Sequence, residues 1–282
     1  MNNMELISKV LKKLKTLYQL TYEYKNISFL ILSLADYLKV KHSKISERLE
    51  ERLQIHRLPN GLQVAILSEP RYLRSYISTF GEIYIMRIYE KLNDFIPDEE
   101  DTILDLGAFI GLYTLKHFRA KQIFAIEPHP ISYSLLAINV KLNKLEHVKC
   151  LNYAIWNHSA IIPLYEGNFL IAGSTLMSGL HERLYSKQIL VKAISLDQLV
   201  DQGIISKYID IAKVDIEGAE VQFLEGGVKT LTQGYVNRVV MEVHKNLVDL
   251  RVLYAKLREL GFRIVHKIPG YNLEIVYMNH VR

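Results

Sequence analysis

The chain has 282 residues, of which 49% are hydrophobic and 23% are charged. This composition is typical of a globular protein and excludes a chain that is disordered throughout. The formal net charge is +5, and residues 1–50 hold nine Lys and Arg against five Asp and Glu. Because the rest of the chain is almost neutral, we expect no extended nucleic-acid-binding surface.

Cysteine content and hydropathy narrow the class of protein further. Cys150 is the single cysteine, which excludes an internal disulfide and a multi-cysteine zinc site. The apolar run at residues 27–35 has about half of the ~20 residues that cross a bilayer, and it lies too far along the chain for a signal peptide. We therefore predict a cytoplasmic protein. The basic and apolar residues of segment 1–50 leave open a peripheral contact with anionic membrane.

The first part of the chain, residues 1–97, is predicted as an appendage to a main domain. Apolar residues recur at helical spacing over 4–24, and 27–50 continues as further helix. Two short strands at 55–58 and 62–67 flank Asn60-Gly61, a pair that favours a tight hairpin. A helix over 71–96 then leads to Pro97.

From residue 98 the pattern changes to alternating apolar strands and helices. Such alternation predicts βαβ units, a mostly parallel sheet and helices on both faces, so residues 98–282 form an α/β domain. Residues 160–195 interrupt it as a β-rich insertion, and the last two strands read as an antiparallel edge hairpin. The predicted strands are 102–106, 122–126, 148–151, 209–216, 238–243, 262–266 and 273–278, with helices at 112–118, 130–142, 221–231 and 247–260.

The strongest motif places Asp105 near the end of the first strand, with Gly107 and Gly111 after it. Glycines at this position allow a sharp turn and a close approach to the backbone. The spacing is not the G-x-G-x-x-G of dinucleotide sites, and an acid here would repel a pyrophosphate. It suits the cationic amino acid part of S-adenosylmethionine (SAM). An ordinary turn with two structural glycines is the alternative.

A second acid, Glu127, ends the next strand and precedes Pro128. An acid at this point of such folds accepts hydrogen bonds from ribose hydroxyls. Together Asp105 and Glu127 would contact the two ends of one nucleoside–amino acid ligand. Alone, Glu127 could equally be a solvated strand end.

Four further polar residues end two later strands. Period-two spacing predicts that Asp215 and Glu217 share one side, as do Glu242 and His244. His244 is the first candidate for a general base towards a hydroxyl acceptor, and Asp215 or Glu217 comes next. One alternative is that Glu217 and Glu220 begin a helix and only favour its N-terminus. Another, which we do not expect, is a divalent metal held by these groups.

Residues 98–280 resemble the FkbM-type SAM-dependent methyltransferases. The resemblance implies a Rossmann-like class I methyltransferase fold with a seven-stranded sheet, SAM as methyl donor, and O-methylation of a hydroxyl on a sugar, glycan or natural product. The matching segments are DLGAFIGLYT (105–114), IEPHP (126–130), Asn139 and Asn143, AIWN (154–157), KVDIEGAE (213–220) and MEVH (241–244).

The resemblance also implies which residues contact SAM. The methionine end would lie at Asp105 and its glycines, the ribose at Glu127, and the adenine beside residues 153–155. The full set is Asp105, Gly107, Ala108, Phe109, Gly111, Tyr113, Thr114, Glu127, Pro128, Tyr153, Ala154, Ile155 and Asp215. The family usually has Asn at the position of Phe109, and Asn tolerates left-handed backbone better than Phe does. A loop at residues 173–175 is a candidate acceptor contact.

Two other functions compete with this interpretation. A nucleotide-dependent oxidoreductase on a similar sheet would use NAD(P), and the missing G-x-G-x-x-G argues against it. A degenerate domain that keeps the sheet without catalysis is the second, and the retained acids argue against it. The acceptor would be a small molecule or a glycan, whose identity the sequence does not determine.

Overall fold

A computed structural model describes residues 53–177 and 185–281. These residues divide into two compact units, with the boundary between Arg87 and Ile88. The helices and the membrane contact predicted for residues 1–50 lie outside the described part of the chain. No helix within the described residues is long and apolar enough to cross a membrane.

The first unit contains a β-hairpin and a helix. Strands β1 (Leu53–Arg57) and β2 (Gln63–Leu67) pair antiparallel around a turn in which Gly61 has a φ of 88°. Helix α1 (Pro70–Phe80) follows and continues as a π-helical turn (Gly81–Ile85). The prediction of one helix over 71–96 was therefore too long. Arg87, with a φ of 49°, leaves the helical conformation soon after that turn.

The second unit is built on a seven-stranded sheet. Its strands are β3 (Thr102–Leu106), β4 (Gln122–Ile126), β5 (Val148–Leu151), β9 (Ile209–Val214), β10 (Val236–His244), β11 (Phe262–Pro269) and β12 (Leu273–His280). Their spatial order is β11-β12-β10-β9-β3-β4-β5. The pairings of β3, β4, β5, β9 and β10 are parallel, whereas β12 runs antiparallel to both β10 and β11. The predicted mostly parallel α/β sheet is confirmed.

Six α-helices are described in this unit, mostly between strands of the sheet. They are α2 (Leu112–Lys116), α3 (Pro130–Leu142), α4 (Leu196–Asp201), α5 (Glu220–Gly226), α6 (Val228–Thr232) and α7 (Leu250–Glu259). The single helix predicted over 221–231 is in fact two, α5 and α6, which meet at Gly227. Residues 88–101 contain only one 3-10 turn (Asn93–Phe95).

A separate three-stranded sheet occupies the region predicted as a β-rich insertion. Strand β6 (Ala154–Ile155) pairs parallel with β8 (Tyr185–Ile194), which pairs antiparallel with β7 (Ala160–Gly167). The apolar pair at residues 170–171 lies outside these strands. It belongs to the connection that leads from β7 to Thr175, whose backbone bridges to Tyr165.

The register of the sheet brings the candidate residues to one edge. Leu106 is paired with both Ile126 and Val214, so β3, β4 and β9 end at the same level. Val214 is also level with Met241, and β10 continues beyond it as far as His244. The carboxyl ends of parallel strands are where α/β folds bind ligands.

Candidate active site

The glycine turn after β3 makes room for protein backbone. The N–H groups of Gly107 and Ala108 both donate to the carbonyl of Ile126. Gly107 has a φ of 73°, and a Cβ atom there would lie 1.7 Å from the carbonyl oxygen of Asp215. Glycine is therefore required because the segment after β9 passes directly against this turn.

Asp105 is fully buried and paired with a lysine that sequence analysis did not single out. Its Oδ2 accepts a 2.7 Å hydrogen bond from Thr114, and its Oδ1 lies 3.5 Å from Nζ of Lys213. Lys213 is directly opposite Asp105 in the register of β3 and β9, which puts both side chains on one face. The sequence did contain a signal, since Lys213 is two residues before Asp215 and lies in the apolar second half of its strand.

Lys213 connects the glycine turn after β3 with the segment that follows β9. Its Nζ is 3.6 Å from Asp215 and donates to the Gly107 carbonyl at 2.8 Å. Burial by itself lowers the pKa of Lys213, but the charges of Asp215 and Asp105 outweigh burial and raise it. Because Lys213 already compensates Asp105, a direct contact between Asp105 and a ligand ammonium group is less favourable than the sequence suggested.

Glu127 is buried and oriented by backbone. Its Oε2 accepts from the N–H of Phe109 at 2.8 Å, and its Oε1 accepts from the N–H of His129 at 2.9 Å. Burial raises the pKa of Glu127 to about 7, although both hydrogen bonds oppose this. Phe109 has a φ of 52°, the left-handed conformation for which Asn is better suited. Asn152, which the sequence analysis missed, donates to the carbonyls of Glu127 and Pro128.

Most of the remaining predicted cofactor residues are buried. Ala154 and Ile155 belong to β6 and are 1% and 3% exposed, so of the three predicted adenine neighbours only Tyr153 keeps an accessible side chain. Tyr113 is buried, and its hydroxyl has no hydrogen-bond partner among the described residues. The other placements are Ala108, Gly111 and Thr114 buried, and Gly107, Pro128 and Asp215 partly exposed.

Asp215, Glu217, Glu242 and His244 converge, and we call them the carboxylate–imidazole cluster. Nε2 of His244 is 3.0 Å from Glu217 Oε2 and 3.8 Å from Glu242 Oε1. One ligand atom from each of Asp215, Glu217 and His244 lies within 4.8 Å of the other two. The side chains of Asp215 and Glu217 are each 25% exposed, so the cluster is open to a ligand.

Asp215 and Glu217 reach the cluster in a different way from the one predicted, because both lie beyond the end of their strand. Strand β9 ends at Val214, and Asp215 donates its N–H to the carbonyl of Leu106. Glu217 then adopts a left-handed φ of 51° in the turn before α5. Period-two alternation therefore accounts for Glu242 and His244 on β10, but a strained turn positions Glu217.

Two further residues hold the cluster in place, and neither was assigned this role from the sequence. The hydroxyl of Tyr89 lies 2.9 Å from Glu242 and 3.2 Å from Asp215, so the two carboxylates share its one proton. Glu220, fully buried at the start of α5, has Oε1 2.9 Å from Nδ1 of His244. Glu220 is therefore more than an acid that favours a helix N-terminus.

Both nitrogens of His244 face carboxylates, which favours the doubly protonated imidazolium. Burial by itself lowers the pKa of His244, but Glu217 and then Glu220 outweigh burial and raise it well above the usual 6.5. Burial raises the pKa of Glu217, and His244 opposes this. His244 as the general base stays a prediction, and its raised pKa makes the imidazole a poorer proton acceptor than the neighbouring carboxylates.

The loop at residues 173–175 reaches the cluster from the insertion. The hydroxyl of Thr175 donates to the carbonyl of Glu217 at 2.5 Å, and Thr175 is fully buried. A Cβ atom on Gly173 would lie 3.7 Å from Glu217 Oε1. The insertion thus supports the turn that carries Glu217.

The sequence profile described as the methyltransferase FkbM domain matches residues 105–264, more than half of the chain. The chain belongs to the FkbM methyltransferase family. The resemblance inferred from the motifs is confirmed. The matched range begins at Asp105 and includes the whole carboxylate–imidazole cluster, so both halves of the edge lie in the family domain.

Two curated methyltransferases are similar to this chain. Methyltransferase sdnD of Sordaria araneosa is 29% identical over 216 residues, which cover 66% of this chain and 81% of sdnD. Hexuronic acid methyltransferase AglP of Haloferax volcanii is 30% identical over 147 residues, 52% of this chain and 57% of AglP. The chain thus spans little more than half the length of AglP.

A solved methyltransferase FkbM from Methylobacillus flagellatus KT aligns with a TM-score of 0.46 and 14% identity. The alignment covers 73% of this chain and 53% of that one. A likeness at this level supports no further conclusion about this chain.

Proposed function

We propose that the protein is a SAM-dependent O-methyltransferase that acts on a hydroxyl of a small molecule or glycan. The proposal rests on two groups of residues that lie close together at one edge of the sheet. The glycine turn with Asp105 and Glu127 forms one, the carboxylate–imidazole cluster forms the other, and Lys213 contacts both.

SAM fits the glycine-turn side for chemical reasons. Glu127 keeps lone pairs that its two backbone hydrogen bonds do not use, and these accept from the ribose hydroxyls. The positive sulfonium would lie towards the cluster, where Asp215 and Glu217 supply negative charge. A pyrophosphate, as in NAD(P), would meet the same carboxylates and be repelled.

Methyl transfer from a sulfonium to an oxygen is an in-line displacement, so alignment of donor and acceptor is the main requirement. The O–C bond forms as the S–C bond breaks, S-adenosylhomocysteine (SAH) leaves, and the hydroxyl proton must be accepted. Since both nitrogens of His244 face carboxylates, the proton passes to a carboxylate of the cluster.

The acceptor class rests on the relatives. AglP is a hexuronic acid methyltransferase by name, and sdnD is a methyltransferase. A sugar or another polyhydroxylated molecule suits a partly exposed cluster of carboxylates that accept hydroxyl hydrogen bonds.

Thermal-shift measurements on the purified full chain test the cofactor. SAH should raise the melting temperature and NADH should not, because only the former lacks phosphate. At a hundredfold excess over the dissociation constant the stabilisation is about 2.7 kcal/mol. No shift with millimolar SAH, or a larger shift with NADH, would contradict the proposal.

Labelled methyl transfer tests the acceptor class. SAM carrying a labelled methyl group is incubated with the protein and a panel of hexoses, hexuronic acids and polyhydroxylated natural products. We expect an alkali-stable methyl ether on a hydroxyl. Label on a nitrogen or on a carboxylate as an ester would overturn O-methylation of a hydroxyl while leaving the cofactor assignment intact.

A further inference from the structure

The carboxylate–imidazole cluster has the composition of a metal site. Its candidate ligand atoms, from Asp215, Glu217 and His244, all lie within 4.8 Å of one another. Around one cation with bonds of about 2.1 Å, adjacent octahedral ligands are about 3 Å apart and opposite ones about 4 Å. The 3.0 Å between His244 Nε2 and Glu217 Oε2 matches an adjacent pair.

The imidazole is oriented as a metal ligand would be. Nδ1 of His244 lies 2.9 Å from Oε1 of Glu220, a carboxylate with no solvent exposure. Metal-binding histidines commonly donate their second nitrogen to a carboxylate in this way, and a divalent cation would take the place of the Nε2 proton, which is released on binding. Oε2 of Glu220 is buried without a hydrogen-bond partner among the described residues, beside the ring that it orients.

The formal charges also favour a cation here. Among the described residues, the three carboxylates of Asp215, Glu217 and Glu220 share two basic ion-pair partners, Lys213 and His244. Lys213 is shared with Asp105 as well. A divalent ion would neutralise the excess, which buried carboxylates otherwise leave uncompensated.

We propose that Asp215, Glu217 and Nε2 of His244 bind one divalent cation of the Mn²⁺ or Mg²⁺ class that receives the acceptor hydroxyl. This inference rests on the proposed function and extends it. Two carboxylates and one imidazole suit Mn²⁺ somewhat better than Mg²⁺, because imidazole is a softer ligand than water or carboxylate. Three protein ligands leave positions open for acceptor oxygens.

The cation would bind the acceptor hydroxyl and activate it for methyl transfer. A hydroxyl on the cation becomes more acidic, and Glu242, which is not a ligand, accepts its proton. The resulting oxygen takes the methyl group as the S–C bond of SAM breaks, and SAH leaves. An acceptor with two neighbouring oxygens, such as a vicinal diol or a hydroxyl beside a carboxylate, can occupy two open positions at once.

Electron paramagnetic resonance of Mn²⁺ tests the site without an activity assay. The full chain is stripped with a chelator, the chelator is removed, and Mn²⁺ is titrated while the signal of the free ion is recorded. We expect one Mn²⁺ per chain in the micromolar range. Glu217→Gln and His244→Ala should weaken binding at least tenfold, and Glu220→Gln about 10–100-fold through the orientation of the imidazole.

Glu259→Gln is the matched control, because it removes one exposed carboxylate on α7 and should leave Mn²⁺ binding unchanged. Each variant is also tested for its SAH melting shift, which reports an intact fold. If His244→Ala does not fold, Glu217→Gln decides, since that side chain is partly exposed and similar in size.

Absence of Mn²⁺ binding up to millimolar concentration, or binding that Glu217→Gln leaves unchanged, overturns the inference. The SAH shift separates this outcome from failure of the proposed function. SAH binding without Mn²⁺ binding removes only the metal, whereas no SAH binding removes the proposed function itself.

Discussion

The two halves of the candidate active site are built on opposite principles. On the glycine-turn side, Asp105 and Glu127 are buried, and Glu127 is held by backbone N–H groups next to its own strand end. In the carboxylate–imidazole cluster, charged side chains from separate elements hold one another, and Glu217 remains 25% exposed. A backbone-held site suits a constant cofactor, whereas a side-chain-held site can differ between acceptors.

Two features connect the halves. Lys213 lies between Asp105 and Asp215, and Gly107 allows the Asp215 carbonyl to approach the glycine turn. If only these two residues connect otherwise independent halves, substitutions at Lys213 or Gly107 should affect both halves. Substitutions within one half should leave the other half intact.

Lys213→Met should have the largest effect. It leaves Asp105 buried beside Asp215 without a positive partner in the described part of the chain, and removal of one member of a buried ion pair costs about 3–5 kcal/mol. Urea denaturation measures the free energy of unfolding. The double variant with Asp105→Asn should recover part of the loss.

Lys229→Met is the surface control for that experiment, because Lys229 pairs with Asp201 in solvent and its removal should change stability little. An equally small effect for Lys213→Met would show that Lys213 does not connect the two halves.

Gly107→Ala should destabilise the protein by about 3 kcal/mol or more, because its Cβ atom would lie 1.7 Å from the Asp215 carbonyl oxygen. Gly203→Ala is the matched control. Gly203 also has a positive φ, of 65°, but nothing lies within 4 Å of its Cβ position. That variant should lose only the conformational cost of about 1–2 kcal/mol. Equal losses in urea denaturation would mean that the contact with Asp215 is unimportant.

Glu127 should make SAH binding pH-dependent. Its pKa is raised to about 7 by burial, with Lys213 lowering it and Asp105 raising it. If the ribose hydroxyls need the ionised form, affinity should increase roughly tenfold between pH 6 and pH 8. The ligand-free protein should show the opposite trend, because a raised carboxyl pKa stabilises the fold at low pH and this stability is lost as pH rises through about 7.

Isothermal titration of SAH at several pH values measures this dependence. Glu127→Gln cannot ionise and should bind with nearly constant affinity over the same range. An unchanged pH dependence in Glu127→Gln would assign the titration to another group.

Thr175→Val should have the smallest effect and should be confined to the cluster. It removes the hydrogen bond to the Glu217 carbonyl from a fully buried position, at a cost of about 1 kcal/mol. Methyl transfer should slow while SAH affinity is kept, because Glu217 loses its support. Thr175→Ser retains the hydroxyl and should restore the rate. Weaker SAH binding in Thr175→Val would contradict the independence of the two halves.

The strands of the main sheet could be predicted closely, and the reason is physical. Parallel strands in such a sheet are rich in apolar residues over short runs, and β3, β4 and β5 have the predicted bounds. The end of helix α5 was harder to predict. Gly226 lies so close to the backbone of Trp156 that a Cβ atom there would be 2.2 Å from the Trp156 carbonyl oxygen. Such a contact is distant in sequence and leaves no local pattern.

The sequence by itself determined the family, the sheet and the identity of the polar residues at its edge, because motif spacing and apolar periodicity are local properties. Only the tertiary structure decided how those residues are used. Pairing of Asp105 with Lys213, and the placement of Glu220 against His244, join segments far apart in the chain. Charge compensation between buried groups depends on distances of a few ångströms across strands, and those distances exist only once the chain has folded.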